Sequence, residues 1–73
     1  MNERIEINPL ILCGKPVIKG TRSPVYLILD LLGSGCSVEK IIEEYPTLKR
    51  EDILAAVQFA SSLTRFEEME FSK

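Results

Sequence analysis

The sequence contains no histidine and no tryptophan, and only two of its 73 residues are cysteines. Without histidine, neither a Ser-His nor a Cys-His nucleophile system can form. Two thiols are also too few for a structural zinc site within one chain, because such a site needs four ligands. We therefore expect a protein that is not an enzyme and that binds no metal or other cofactor.

The sequence also shows no pattern typical of a signal peptide or of a membrane-spanning segment. No basic and apolar segment of the signal-peptide kind opens the sequence, so we expect a cytoplasmic protein whose thiols stay reduced. The longest nearly uncharged run, residues 23–37, is too short to span a bilayer. We interpret Cys13 and Cys36 as small buried apolar residues, with a redox role or a bridge between two copies as the alternative.

The chain also lacks the strong basic excess of a stand-alone nucleic-acid binder. Its formal charge is −2 and its pI is about 5.1. Residues 1–36 carry four basic against three acidic side chains, whereas residues 37–73 carry five against eight. The acidic pairs Glu43-Glu44, Glu51-Asp52 and Glu67-Glu68 are interpreted as solvated helix faces and as partners of helix N-termini.

Residues 37–60 have the clearest helical periodicity in the chain. The pattern predicts a helix that begins at the N-cap Ser37 and buries Val38, Ile41, Ile42 and Tyr45. Pro46 ends this helix, because the residue before a proline disfavours helical conformation. A second helix is predicted from about Arg50 to Phe66 or beyond, with a buried face made of Ile53, Ala56, Val57 and Ala60. Together the two helices form a helix-turn-helix pattern.

Two short strands and a first helix are predicted before this pair. Residues 4–7 alternate polar and apolar side chains, and residues 16–19 are the candidate partner strand, in a hairpin or across to a second copy of the chain. Residues 11–15 are predicted to form a packed turn. Ser23 and Pro24 predict the N-cap and first position of an apolar helix, which runs to about Leu32 at the centre of the core and ends in a glycine cap within residues 33–35. All 73 residues are expected to form a single, mainly α-helical domain.

Helix-turn-helix geometry makes DNA contact possible. In a major groove, the last helix is expected to present Glu51, Ala55, Gln58 and Ser62, with Lys49 and Arg50 near phosphates. Three more phosphate contacts are expected from the preceding loop, through Lys15, Lys19 and Arg22. The alternative is that these are ordinary exposed residues. Phosphates would repel Glu51 and Asp52, so a single copy should bind weakly.

A second candidate surface follows from the last helix. Phe59, Leu63 and Phe66 drift away from the face that contains Ile53. These three residues are expected to face the N-terminal strands, a second subunit or a different protein. The alternative function is therefore a protein-protein interaction or dimerisation module that never touches DNA.

Three segments resemble one known family. Residues 13–25, CGKPVIKGTRSPV, followed by Glu44-Tyr45-Pro46 and by the REDI of residues 50–53, are similar to domain-of-unknown-function family 433 over about residues 5–60. Residues 61–73 are assigned to an extension of the last helix and a tail. Family members usually have Thr or Ser where this chain has Lys49, a departure that removes a helix N-cap.

The resemblance implies a homeodomain-like three-helix domain, of the winged-helix-like class, with short N-terminal strands. It implies a bacterial or archaeal antitoxin that acts beside a PIN-like nuclease toxin. Combined with the helix pattern, it leads us to expect a dimer, or a complex with the toxin, that presents the helix-turn-helix to operator DNA.

Overall fold

A computed structural model of the chain describes residues 3–65. In this region the strands and α-helices are β1 (Ile5–Glu6), β2 (Val17–Ile18), α1 (Val25–Gly33), α2 (Val38–Glu44) and α3 (Arg50–Thr64), and a short 3-10 turn (Leu12–Gly14) lies between the strands. The prediction of a mainly helical, three-helix fold with paired N-terminal strands is confirmed. Phe66 and the pair Glu67-Glu68 lie outside the described residues.

The two strands pair within one chain. They are antiparallel, with Ile5 opposite Ile18 and Glu6 opposite Val17, so the hairpin is the correct one of the two predicted arrangements. Residues 23–24 extend this sheet, because the Ile18 amide donates to the Ser23 carbonyl at 2.9 Å. The predicted N-cap role of Ser23 is therefore wrong: its backbone belongs to the sheet, and Pro24 is the residue that precedes the first helical position.

Helix α1 ends at a glycine, as predicted. Gly35 has a φ of +100°, which a residue without a Cβ adopts readily. The amides of Gly35 and Cys36 donate to the carbonyls of Leu32 and Leu31, each at 3.0 Å. These two bonds satisfy carbonyls that the end of a helix would otherwise leave unpaired.

Helix α2 begins at Val38, and its N-cap is Ser37, whose hydroxyl accepts from the Lys40 amide at 3.1 Å. The predicted N-cap is confirmed, and the helix ends at Glu44, just before Tyr45 and Pro46. The turn that follows is fixed by the Leu48 amide, which donates to the Tyr45 carbonyl at 2.8 Å. Because the Leu48 side chain is buried, the turn is anchored in the core.

Helix α3 packs against α1, α2 and β1. This three-sided packing turns its core-facing side away from the predicted one. Ala55, predicted to point outward, is buried, whereas Val57, predicted to point inward, is 44% exposed. Both predictions are wrong for the same reason. They placed Ile53 at the centre of the buried side of α3, whereas Ile53 lies at one edge of that side.

A single apolar core joins the helices to the sheet. Its buried members are Ile5, Ile18, Val25, Ile28, Ile41, Leu48, Ile53, Ala55 and Ala56. Burying one large aliphatic side chain stabilises a fold by about 1.5–3 kcal/mol. Cys36 packs against this core, but Cys13 is exposed, so the prediction of a buried residue is wrong for Cys13. Tyr26 is also exposed, and α1 is less completely covered than predicted.

The connection between the strands is unusual. Leu12, Cys13 and Gly14 have φ values of +50°, +57° and +85°, which form one left-handed turn. Non-glycine residues rarely adopt this conformation. Leu12 and Cys13 are exposed, and Leu10 is 90% exposed. The prediction of a packed turn is therefore wrong.

Candidate nucleic-acid interface

The N-terminal end of α3 is held to the sheet by an ion pair. Arg4 directly precedes β1, and its guanidinium lies 2.9 Å from the Asp52 carboxylate. The other carboxylate oxygen of Asp52 accepts from the Lys49 amide at 2.9 Å. Asp52 therefore links the β-hairpin to the first turn of α3 and satisfies an amide there.

The position of Asp52 corrects the prediction for the Glu51-Asp52 pair. It also shows how the start of α3 is capped although Lys49 replaces the usual Thr or Ser. Asp52 is buried, so the interpretation of Glu51-Asp52 as a solvated pair is right only for Glu51. Lys49 occupies the N-cap position without a side-chain cap bond, because an ammonium group has no acceptor. Asp52 supplies an acceptor from the third helical position instead.

Helices α2 and α3 are linked by an ion pair across the turn. The Arg50 guanidinium lies 3.3 Å from the Glu39 carboxylate, and both side chains are exposed. Hydrogen bonding of Glu39 to its own backbone amide, and then to Arg50, lowers the pKa of Glu39 below its usual value of 4.5. The resulting stabilisation is present above the ordinary carboxyl pKa and is lost as the pH falls through the lowered value. Exposed pairs of this kind are weak, so Arg50 can exchange Glu39 for another anion.

Basic residues surround the same end of α3. The Lys19 amide donates to the Arg4 carbonyl at 2.8 Å, which places the Lys19 backbone beside the Arg4–Asp52 link. Lys49 and Arg50 are exposed at the start of α3. We call Arg4, Lys19, Lys49 and Arg50 the basic rim. Cations grouped in this way favour contact with phosphates.

The exposed side of α3 is nearly free of charge. On a helical projection of α3 with 100° per residue, five exposed side chains lie within an arc of about 100°. We call this set the outer face of α3: Arg50, Leu54, Val57, Gln58 and Ser61. Glu51 and Ser62 flank it, and residues 53–65 contain no acidic side chain. The Ser62 hydroxyl donates to the Phe59 carbonyl at 2.7 Å.

The predicted DNA-contacting residues are therefore only partly brought together. Six of them lie along α3 or near its start, namely Lys19, Lys49, Arg50, Glu51, Gln58 and Ser62, and all six are exposed. Lys15 lies instead beside the second half of α3, next to Phe59 and Leu63. Arg22 lines a separate cavity with Glu6 and Thr21. Direct contact of any of these residues with DNA stays a prediction.

An apolar groove lies between α1 and the second half of α3. It has a volume of about 290 Å³, and the residues that line it include Tyr26, Leu29, Phe59 and Leu63 together with Lys15 and Pro16. We call this feature the apolar groove. Phe59 packs against the core, whereas Leu63 is 64% exposed. Phe59 and Leu63, two residues of the predicted partner surface, therefore lie on the core-facing side of α3, near the end of the helix where other residues no longer cover that side. Phe66, the third residue, lies outside the described residues.

Three features were not found from the sequence. Leu54 and Val57 were not assigned to the outer face, although they are spaced three residues apart as neighbours on a helix are. The Arg4–Asp52 link was also missed. Its one signal was an acidic residue three positions after the N-cap position, the spacing of a capping box. The exposed apolar side chains of Leu10 and Leu12 had no signal, because their exposure depends on the left-handed turn.

Residues 3–65 have neither a cluster of metal ligands nor a membrane-spanning helix. In that range no three His, Cys, Asp or Glu side chains are grouped closely enough to hold a metal ion. None of the described helices combines the length and the apolar character needed to cross a bilayer.

The fold and the exposed helix define a small three-helix domain with a helix-turn-helix pair and an N-terminal hairpin. Its sequence matches the model of DUF433, described as a protein of unknown function, over residues 5–60. The chain belongs to this family, and the resemblance found in the sequence is confirmed.

Two relatives support the assignment. An uncharacterized protein, y4eO, from Sinorhizobium fredii is 40% identical over 60 residues, which cover 82% of this chain and 27% of that protein. The crystal structure of a DUF433 member from Anabaena variabilis has a TM-score of 0.77 and 29% identity, and the match covers 81% of this chain and 58% of that one. The chain thus spans only part of the length of both relatives.

Proposed function

We propose that this protein is a non-enzymatic, DNA-binding helix-turn-helix module that acts as a dimer in the bacterial cytoplasm. In this proposal it is an antitoxin that binds operator DNA and a PIN-like nuclease toxin. The DNA part is supported by the outer face of α3. The antitoxin and toxin parts are supported by the resemblance to the family alone.

The outer face of α3 carries the proposal because of its chemistry. A helix of 15 residues is about 22 Å long, enough to lie in a major groove. Gln58 offers an amide suited to adenine, and Leu54 and Val57 offer apolar contacts for thymine methyl groups. Glu51 flanks this face and opposes the contact, but residues 53–65 contain no acidic side chain.

The basic rim supplies the charge. Lys49 and Arg50 are exposed at the start of α3, where a helix lying in the groove passes the phosphate backbone, and Lys19 is exposed beside Arg4 in the sheet. Asp52 does not cancel this charge, because it is buried and paired with Arg4. Arg50 reaches a phosphate by leaving Glu39, an exchange that costs little for two exposed side chains.

A salt series tests the DNA proposal. The affinity of the full chain for DNA from upstream of its own gene is measured between about 50 and 200 mM salt, where each neutralised phosphate contributes about −0.9 to the logarithmic slope. We expect affinity to fall as salt rises, and Lys49→Ala to make the slope shallower by about one contact. Lys40→Ala is the matched control, because it removes the same charge from a lysine paired with Glu44. Affinity that does not change with salt would rule out phosphate-driven binding.

The second candidate function is a protein-binding module without DNA contact. The apolar groove favours it, because Tyr26 and Leu63 expose large apolar side chains beside a concave surface. Leu63→Asp separates the two candidates. In a DNA-binding module, Leu63→Asp keeps a salt-dependent DNA affinity that is weakened by loss of the dimer, whereas a module without DNA contact loses partner binding and binds DNA neither as wild type nor as the variant.

A further inference from the structure

The connection between the strands exposes an apolar surface that residues 3–65 leave uncovered. Ile7, Leu10 and Leu12 are exposed, and Leu10 is 90% exposed. We call these three residues the apolar loop. Residues 7–14 contain no charged side chain, although 27% of the residues in the chain are charged. An uncharged, protruding loop of this kind is typical of a surface that is buried in an assembly.

The apolar loop is held in place by its backbone. The Leu10 amide donates to the Asn8 side-chain oxygen at 2.8 Å. The Ile11 amide donates to the Asn8 carbonyl at 2.8 Å, and the Gly14 amide donates to the Ile11 carbonyl at 3.0 Å. These bonds keep Leu10 away from its own core, and no residue of the apolar loop lines the groove of its own chain.

We propose that the apolar loop of one copy of this chain inserts into the apolar groove of a second copy, and that the exchange is reciprocal. The inference rests on the dimer named in the proposed function and not on DNA contact. It assigns that dimer a surface formed by residues 7–12 of one protomer and by α1 and α3 of the other.

The sizes of the loop and the groove agree. The groove has a volume of about 290 Å³. A cavity of about 150 Å³ holds one benzene molecule, so this groove accommodates two aliphatic side chains such as Leu10 and Leu12. Among the described residues that line the groove, Lys15 alone is charged, and its side chain is exposed, so insertion need not bury an unpaired charge.

The positions of the loop and the groove also fit a two-fold axis. Lys15 and Pro16 follow the left-handed turn directly and line the groove. The chain therefore passes from the apolar loop straight into the lining of the groove. When two protomers face each other across a two-fold axis, each loop meets the other groove, which closes the dimer and prevents filaments.

Sedimentation equilibrium of the full chain tests the inference. Wild type and three variants are compared: Leu10→Asp in the loop, Leu63→Asp in the groove, and Leu54→Asp on the outer face of α3 as a control. A small apolar interface should have a dissociation constant between about 1 µM and 1 mM, so that range of concentration is scanned. We expect wild type and Leu54→Asp to dimerise equally, and Leu10→Asp and Leu63→Asp each to weaken the dimer at least about tenfold.

A mixture of the two weakened variants gives the sharper result. Leu10→Asp keeps an intact groove and Leu63→Asp keeps an intact loop, so their heterodimer retains one loop-to-groove contact and neither homodimer retains any. We expect the mixture to associate more strongly than either variant alone. Because both side chains are exposed, the folds should survive, and circular dichroism melts confirm this. If an Asp variant unfolds, Leu10→Ser and Leu63→Ser replace it.

Several outcomes would overturn the inference. A wild-type monomer over the whole range excludes the dimer. If Leu10→Asp dimerises like wild type, the apolar loop is not what binds in the groove. The same conclusion follows if the mixture associates no more strongly than either variant alone. DNA affinity measured on the same samples keeps the two proposals apart, because Leu54→Asp should weaken DNA binding and leave the dimer intact.

Discussion

Asp52 links the first turn of α3 to the sheet. Its carboxylate binds Arg4 from the sheet and the Lys49 amide from the start of α3. Its side chain is 7% exposed, whereas that of Arg4 is 45% exposed. Removing the carboxylate therefore leaves an arginine that water can still reach, and the cost is below that of stranding a fully buried charge.

We predict that Asp52→Ala lowers the free energy of unfolding by about 2 kcal/mol, because it removes a cap acceptor and a partly buried ion pair. Asp52→Asn should cost about half as much, since its amide oxygen can still accept from Lys49. Urea unfolding measures both values. Glu51→Ala is the matched control, and its exposed side chain should change stability by less than about 0.5 kcal/mol. Equal effects of Asp52→Ala and Glu51→Ala would contradict the structural role given to Asp52.

At the scale of elements, the end of α1 depends on two glycines in different conformations. Gly35 has a φ of +100°, where a Cβ is strained. Gly33 is the last residue of α1, has a helical neighbour on its N-terminal side, and has nothing within 4 Å of the position of an added Cβ. The two positions lie two residues apart and so test backbone conformation with little change in surroundings.

We predict opposite effects for the same substitution at these positions. Gly33→Ala should stabilise the protein by about 0.5–1 kcal/mol, because alanine restricts the unfolded chain and favours a helix. Gly35→Ala should destabilise it by about 1–2 kcal/mol, because alanine disfavours the left-handed region. Thermal unfolding reports both, at about 4–8 °C per kcal/mol for a domain of this size. Midpoints that shift in the same direction would show that the helix does not end at Gly35 as described.

How far an element could be predicted from the sequence depends on how local its cause is. The Ser37 cap, the end of α2 before Pro46 and the glycine cap of α1 arise within a few residues, and the sequence predicted all three. The Ser23 cap was wrong because β2, a separate element, takes up the Ser23 backbone. The orientation of α3 was wrong for Val57 and Ala55 because its buried arc is set by α1, α2 and β1 together.

The candidate site likewise contains some features that could be predicted from the sequence and others that could not. The exposure of Lys49, Arg50 and Glu51 follows from polar residues at the start of a helix and could be predicted. The separation of Lys15 from Lys19 could not, because it requires knowing that the strand between them carries Lys15 to the far half of α3. The apolar loop could not be predicted either, since three consecutive left-handed residues are not evident from Leu12 and Cys13.

At the scale of the whole molecule, two surfaces with different chemistry are separated along α3. The basic rim surrounds its first turn, and the apolar groove adjoins its second half. In the proposed dimer, this separation would let one protomer contact DNA with the outer face of α3 while its groove accepts the loop of a second protomer. A dimer would also double the number of phosphate contacts, which offsets the weak binding expected of a single acidic chain.

The most direct test of the account is a titration of the isotope-labelled protein with DNA from upstream of its own gene, followed by amide chemical shifts. The account predicts the largest DNA-induced changes at Arg50, Leu54, Val57, Gln58 and Ser61, the outer face of α3. It predicts small changes at the apolar loop and at Tyr26 and Leu63 in the groove. Largest changes at the loop or groove, or no changes at any DNA concentration, would contradict it.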